Sequence, residues 1–228
     1  MAASDHRPAL VVVFDVNETL SDMAPMAARF AAVGAPEYLA KLWFASLLRD
    51  GFALTAAGAQ ERFSTLADGA LRTVLAGVEM NRDADGAVDH ILSGMRELPV
   101  HSDVPEGVRA LRAAGLRLVT LSNGAASVAD QLLSRAGLRE EFEALLSVEQ
   151  IGAWKPAPAP YAYAASTCGV DPGEMLLVAA HPWDIDGAAR AGLATAWVNR
   201  SGTPYPAYSS PPTHTVAALD ELPGALRR

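Results

Sequence analysis

Four short polar clusters stand out in this 228-residue sequence. They are Asp15 to Thr19 (DVNET), Ser122-Asn123 in LSN, Lys155 in WKP, and His181 to Asp186 in HPWDID. Together they hold carboxylates, hydroxyls, an amine and an imidazole, the groups of nucleophilic and acid–base chemistry. Each follows a stretch that reads as a strand or a loop. In an open parallel sheet such strand ends converge on one edge, where α/β folds bind ligands. Alone, Asp15 reads equally as a turn opener or a helix cap. The shared placement of all four clusters favours a site.

The elements that must position them follow from apolar patterning. The run 10–14, LVVVF, is short, unbroken and Val-rich, which predicts a strand buried on both faces of a parallel sheet. Helix-like spacing covers 24–33, 37–49, 60–75 and 81–98, with Asp83 and Asp85 suited to the amino end of the last. No strand is expected between 22 and 98. Beyond that, elements alternate: helix 105–114, strand 116–121, helix 127–135, strand 144–148, helix 161–168, strand 175–180, helix 186–191 and strand 195–198. The tail 200–212 predicts an ordered loop, and 215–222 a last edge element. Alternation of this kind indicates an α/β fold, a Rossmann-like parallel sheet with helices on both faces. The expected core is 1–22 with 99–228, and the inserted helices 23–98 form a cap able to close over a pocket.

Composition narrows the class. Half the residues are apolar, the formal net charge is −8 and the pI is near 5.1. No basic stripe tracks a phosphate backbone, so nucleic acid is not an expected partner. Cys168, the single cysteine, rules out an internal disulfide and suits a reducing compartment; it reads as helix packing. The first ten residues lack a signal core and no segment is long enough to span a bilayer. A cytoplasmic protein without membrane partners is expected.

With those motifs in hand, the chain resembles the haloacid dehalogenase superfamily, and within it the L-2-haloacid dehalogenase (type II) branch. The matching residues are FDVNETL with Asp15 and Thr19, LSN with Ser122 and Asn123, WKP with Lys155, and HPWDIDGA with Asp184. The resemblance implies that Asp15 is a nucleophile that forms an ester, kept ionised by Lys155 and aimed by hydrogen bonds from Thr19 and Ser122. Superfamily phosphatases carry a second Asp two residues after the nucleophile, to protonate a leaving alcohol. Here that position is Asn17, which cannot, and a halide does not require it. They also hold Mg²⁺ with acids of the last motif, where this chain has Ala179 and Ala180. No required metal and no cofactor are therefore expected, with Asp186 read as a helix amino-end acid. For a 2-haloacid, Asp15 displaces halide at C2 and water then releases a 2-hydroxyacid. Asp184 would orient that water or hold Lys155, Asn123 would donate to the departing halide, and Phe63 and Trp183 would help wall the pocket.

The chain also departs from that branch. Asn17-Glu18 replaces Tyr-Gly, and Glu18 brings a negative charge that pairs locally or points away. Phe44, after Trp43, stands where the branch has a cap arginine. Arg49 reads either as a replacement anion clamp or as a surface residue. Without an arginine, carboxylate recognition needs N–H groups at helix starts. Ala179 and His181 replace a Ser and an Asn, and His181 reads as a general base or as a structural histidine beneath the cap. These changes suit small haloacetates. The alternatives are a phosphatase with unconventional ligands and a scaffold that binds without turnover. The branch is often dimeric, so helix 38–48 is either an interface or part of the cap's own packing.

Overall fold

The computed structural model of the chain describes residues 11–227. The opening apolar run becomes β1 (Val11–Phe14), fully buried along its length. Leu10, and the stretch read above for a signal segment, lie outside the described residues. Four helices follow: α1 (Met26–Ala32), α2 (Leu39–Ala56), α3 (Phe63–Val74) and α4 (Ala84–Glu97). Asp83 caps α4, accepting the Gly86 N–H at 2.7 Å. The alternation then runs α5 (Val104–Ala113), β2 (Arg117–Ser122), α6 (Ala126–Arg135), β3 (Ala144–Ser147), α7 (Pro158–Cys168), β4 (Met175–Ala179), α8 (Pro182–Arg190), β5 (Ala194–Val198), β6 (His214–Val216) and α9 (Leu222–Ala225).

Among the described residues six strands pair in the order β3-β2-β1-β4-β5-β6, all parallel. Strand periodicity splits β1 between two cores. Val12 and Phe14 pack with Leu118, Val178 and the α5–α6 side chains Val108, Leu111 and Leu133. Val11 and Val13 pack with Val119, Leu177 and the α7–α8 side chains Tyr161 and Ala188. Burial on both faces is why the run carries no polar alternation. The order reverses at β1: β2 and β3 lie to one side, β4 to β6 to the other. Connections leaving β1 and β4 diverge there, which opens a crevice at their carboxyl ends.

Helices α1 to α4 gather a third cluster of their own, around Phe30, Trp43, Leu47, Leu71 and Ile91. Val148 and Trp154, from the loop after β3, join it. The inner face of α2 (Trp43, Phe44, Leu47) is buried in the cap, whereas Tyr38 and Leu42 face outward. The two chain crossings lie side by side: Asp22 donates its N–H to the Pro99 carbonyl and His101 to the Leu20 carbonyl, with Ser21 and Val100 bridged antiparallel. The tail is ordered as expected. Arg200 is fastened to Asp103, and Tyr205 packs edge-on against Trp197.

One boundary differs in a way that matters. The helix expected to start at 186 starts at Pro182, with His181 as its extended N-cap residue. Proline is suited to a first helical turn because its φ is already set and it has no N–H to lose. Asp184 therefore sits in the first turn of α8, where the helix dipole favours a carboxylate.

Candidate active site

Asp15 begins where the ladder of β1 ends, its N–H still donating to Val178 at 3.0 Å. Lys155, from the loop between β3 and α7, reaches it across the crevice. Its Nζ lies 2.9 Å from Asp15 Oδ1 and 2.5 Å from Asp184 Oδ2, and none of its surface is exposed. Thr19 donates its hydroxyl to Asp15 Oδ2 at 2.8 Å and accepts the Ala180 N–H at 2.9 Å. Tyr161 donates to Asp184 Oδ1 at 2.6 Å. Three buried ionisable groups are thus held by matched donors and acceptors, the condition under which buried charge is tolerated.

The electrostatics follow from that arrangement. Burial pushes the Asp15 carboxyl up, but the Lys155 charge, the nearby imidazole of His181 and the Lys155 and Thr19 hydrogen bonds outweigh it, leaving the group below its ordinary value of 3.8. Burial pushes the Asp184 carboxyl up and the Asp15 charge adds to this, so its pKa is raised despite Lys155. Burial works against the Lys155 cation, yet the two carboxylates hold its pKa above 10.5. Burial and Asp184 raise Tyr161 well above 10, keeping its hydroxyl a donor. The two acids are driven apart by environment, as groups with different tasks are.

Several close approaches make this possible. A Cβ on Gly187 would stand 2.6 Å from Pro156 Cβ and 2.7 Å from the Tyr161 hydroxyl. Glycine there lets α8 come flush against the Lys155 loop. On the cap side, a Cβ on Gly51 would meet the Trp154 ring at 2.4 Å. Asn123 clasps the same loop: its Oδ1 accepts the Lys155 N–H at 2.9 Å and its Nδ2 donates to the Lys155 carbonyl at 3.2 Å.

Other expected residues take different places. Ser122 Oγ accepts the Gly124 N–H at 2.9 Å and, among the described residues, makes no hydrogen bond to Asp15; its hydroxyl shapes the turn after β2. Asn123 holds the Lys155 backbone with both ends of its amide. Arg49 is corrected outright as an anion clamp. Its side chain is 68% exposed and pairs with its neighbour Asp50, because its position on α2 turns it away from the buried Trp43–Phe44–Leu47 face. Asp186 pairs with Arg190 and accepts the Ser210 N–H, away from Lys155. Cys168 is buried packing.

His181 is also reassigned. Its Nε2 lies 3.2 Å from the Asn17 carbonyl, 3.4 Å from Glu18 Oε2 and 3.9 Å from Asp15 Oδ2. All three are acceptors, so Nε2 carries hydrogen and serves as a donor. That geometry does not suit a base acting through this nitrogen. The imidazole stacks on Trp183 (centroids 5.1 Å apart) and faces Phe44 at 6.3 Å, while Phe52 meets Trp183 edge-on. Trp183 in turn lies 5.9 Å from Lys155 Nζ. Phe63 stacks on Trp154 at 5.8 Å.

The Glu18 carboxylate lies 3.4 Å from His181 Nε2, a local pairing. Glu18 sits at φ +60, a region that non-glycine residues seldom adopt. His101 Nε2 and the Arg200 guanidinium donate to its carbonyl, and its N–H donates to Ser21 Oγ, which fastens the turn.

Two residues of this constellation escaped the motif reading. Tyr161 was within reach: it follows Lys155 by six residues, one turn into a helix that the PAPAP segment starts. Gly187 carried no such signal, since its meaning lies in contacts with Pro156 and Tyr161.

A cavity of about 170 Å³ opens beside the site, between α3 and α4 on one side and α6 on the other. Asn17 and Ser122 border it together with Phe63, Leu92 and Val128.

Comparison with known proteins agrees with this fold and constellation. The model of the haloacid dehalogenase-like hydrolase family matches residues 10–192. The chain is 32% identical to (S)-2-haloacid dehalogenase 4A of Burkholderia cepacia over 92% of its length and 91% of that protein. It is 30% identical to the (S)-2-haloacid dehalogenase of Pseudomonas sp. strain YL over 91% of its length and 90% of that protein. It superposes with a TM-score of 0.85 on the L-2-haloacid dehalogenase of Xanthobacter autotrophicus with chloropropionic acid covalently bound, at 28% identity, covering 96% of this chain and 98% of that one. The crevice of the parallel sheet, with its paired acids and lysine, and these matches define a hydrolase of the α/β class. The chain belongs to the haloacid dehalogenase-like hydrolase family.

Proposed function

We propose that this protein hydrolyses the carbon–halogen bond of short 2-haloacids, with Asp15 as nucleophile and without a metal. The observation that carries the reading is the Lys155 ammonium lying between Asp15 and Asp184, at 2.9 and 2.5 Å. The Lys155 ammonium already neutralises the oxygens of both carboxylates that face it, and Asp186 faces Arg190 instead. The donor set therefore suits a carboxylate nucleophile neutralised by an amine better than a Mg²⁺-dependent phosphatase site, which prefers several oxygen ligands in octahedral array.

In the first step an Asp15 oxygen attacks C2 from the side opposite the halogen, the carbon–halogen bond breaks, and halide leaves with the bonding pair. Nothing has to be protonated, in keeping with an amide at Asn17. In the second step water adds to the Asp15 carbonyl carbon and the acyl–oxygen bond breaks. The 2-hydroxyacid departs, and one proton is released overall. Thr19 and the His181 N–H lie on the Oδ2 side of Asp15 and would stabilise negative charge developing there. Asp184, the more basic carboxylate, would orient the water and the lysine. The substrate carboxylate would meet the amino end of α6, which has no side-chain cap and borders the cavity through Ala125; uncapped N–H groups of this kind receive anions.

Halide release from chloroacetate and 2-chloropropionate, with and without EDTA, tests the proposal. Chelator-insensitive release is expected. Release of phosphate from p-nitrophenyl phosphate on adding Mg²⁺, with no halide from either acid, would overturn it.

A further inference from the structure

We infer that Trp154 is a positioning residue for Lys155, and that the cap fixes the lysine ammonium against Asp15 and Asp184 through it. The inference rests on the dehalogenase reading for its effect on turnover and on geometry alone for the coupling. Trp154 and Lys155 adjoin in the chain, so their Cα atoms are about 3.8 Å apart, yet they are anchored in different layers. Lys155 runs into the sheet edge, where its Nζ meets Asp15 at 2.9 Å and Asp184 at 2.5 Å. Trp154 belongs to the apolar cluster of helices α1 to α4 and is 3% exposed.

Three parts of the cap grip the tryptophan. On α2, Thr55 Oγ1 accepts its backbone N–H at 3.0 Å, and Gly51 leaves room for its ring, since a Cβ there would stand 2.4 Å away. Between α2 and α3, the Glu61 carbonyl accepts its indole N–H at 3.3 Å. On α3, Phe63 stacks on it with the ring planes 10° apart. The core holds the same stretch through Asn123, whose amide clasps the N–H and carbonyl of Lys155. Lys155 is thus held by the core through its own backbone and by the cap through the residue before it.

A movement of the cap that keeps the Trp154 contacts is passed along one peptide bond to Lys155. Hydrogen bonds as short as those of its ammonium have little slack, and a shift of about 1 Å takes the longer one out of reach. Misplacing a reacting constellation by that much costs about 10²-fold in rate. A residue that only filled the cap would change stability and leave the ammonium where it is.

Gly51→Ala tests this from the cap side, pushing a methyl group into the Trp154 ring without touching any group of the site. Amide hydrogen exchange of the full chain, followed by NMR, reads the coupling independently of turnover. The Lys155 amide, whose acceptor Asn123 lies in the core, is expected to exchange at least about tenfold faster. The Glu143 amide, bonded to the Leu118 carbonyl at 2.8 Å, is expected to be unchanged. With 2-chloropropionate, kcat is expected to fall by about 10²-fold while KM stays within about threefold. Thr55→Val removes the acceptor of the Trp154 N–H and serves if the alanine variant does not fold; the same selective acceleration is expected. Lys155 exchange that is unaltered in a folded variant, or accelerated no more than that of Glu143, overturns the inference, as does a kcat equal to the parent's. The two proposals separate cleanly. A parent that releases no halide, with selective Lys155 exchange in the variant, keeps the coupling and loses the dehalogenase reading. A parent that releases halide, with the Lys155 amide unmoved in the variant, loses the coupling alone.

Discussion

The carboxyl edge of the sheet and the underside of the cap face the same space but are built in opposite ways. The sheet edge concentrates charge: Asp15, Lys155 and Asp184 are buried together, with Thr19 and Tyr161 partnering the carboxylate oxygens. The cap brings rings and aliphatic chains, with Phe44 and Phe52 over His181 and Trp183, and Phe63, Ala67 and Leu92 along the cavity. Three of its arginines face elsewhere, Arg29 paired with Glu97, Arg49 with Asp50 and Arg72 with Asp68 and Asp85. The difference assigns the work. The sheet edge holds a buried charge constellation, and helices α1 to α4 present an apolar surface beside it.

Removing the Asp15 carboxylate, the proposed nucleophile, tests that division most severely. Asp15→Asn keeps the shape of the side chain and removes its charge, so halide release is expected to fall by roughly 10⁴-fold or more, with the fold retained by circular dichroism. Residual turnover within tenfold of the parent would move the chemistry away from the sheet edge.

Lys155→Met leaves two buried carboxylates facing one another. Breaking a buried pair in this way is expected to cost about 3–5 kcal/mol in chemical denaturation. The Asp15 contribution to the pH dependence should change sign as well, whereas Asp184, already raised in the parent, favours the fold toward acid in both proteins. In the parent, the folded-state pKa of Asp15 lies below 3.8, so its contribution to stability holds at neutral pH and is lost as pH falls through that region. In the variant, burial and mutual repulsion raise both carboxylates above their unfolded values, so stability should increase as pH is lowered. A variant that weakens in acid in parallel with the parent would show that Lys155 is not what keeps the pair ionised.

Tyr161→Phe removes one donor from Asp184 without altering shape. A loss of about 1–3 kcal/mol is expected, the cost of an unsatisfied buried acceptor, with a fall in kcat larger than any rise in KM. Equal stability of the two proteins would mean that Asp184 is held by Lys155 alone.

How much of this was legible in the sequence divides along the same line. The parallel sheet, the helical insertion and the four converging clusters could be read because β1 is apolar without alternation and because each polar cluster closes an apolar run. Lys155 was legible from its WKP setting. What could not be read depends on contacts between distant segments. Gly187 matters through Pro156 and Tyr161, and the direction of Asn123 follows from where Lys155 turns. The start of α8 at Pro182 rather than 186 was legible in principle, from a proline at a first-turn position. The cap resisted because its apolar faces carry no chemical signature. Helical periodicity located α2, yet said nothing of whether Arg49 faced the site, and the cavity lies between three helices whose spacing no single segment encodes.

Glu18 lies three residues past Asp15 at the sheet edge, and its backbone is expected to dominate its response. At φ +60 a side chain is disfavoured, so Glu18→Gly should relieve about 1 kcal/mol of strain, offset in part by the loss of the His181 contact at 3.4 Å. A net stabilisation by thermal denaturation is expected; a net loss would show that the carboxylate–imidazole pair outweighs the strained turn.

The smallest effect is expected at Arg49, and it bears on the cap directly. Phe44 and Arg49 lie five residues apart on α2. At 3.6 residues per turn that separation carries them to different sides of the helix. Phe44 is 6% exposed, with its ring toward His181, whereas the Arg49 side chain is 68% exposed and bound to Asp50. Exposed ion pairs between neighbours contribute little because water and salt already screen them. Arg49→Ala should therefore match the parent in melting temperature, in KM for every acid and in its dependence on salt. A selective rise in KM, steeper at low ionic strength, would mean that this arginine does reach the substrate carboxylate and that the cap contributes charge as well as shape.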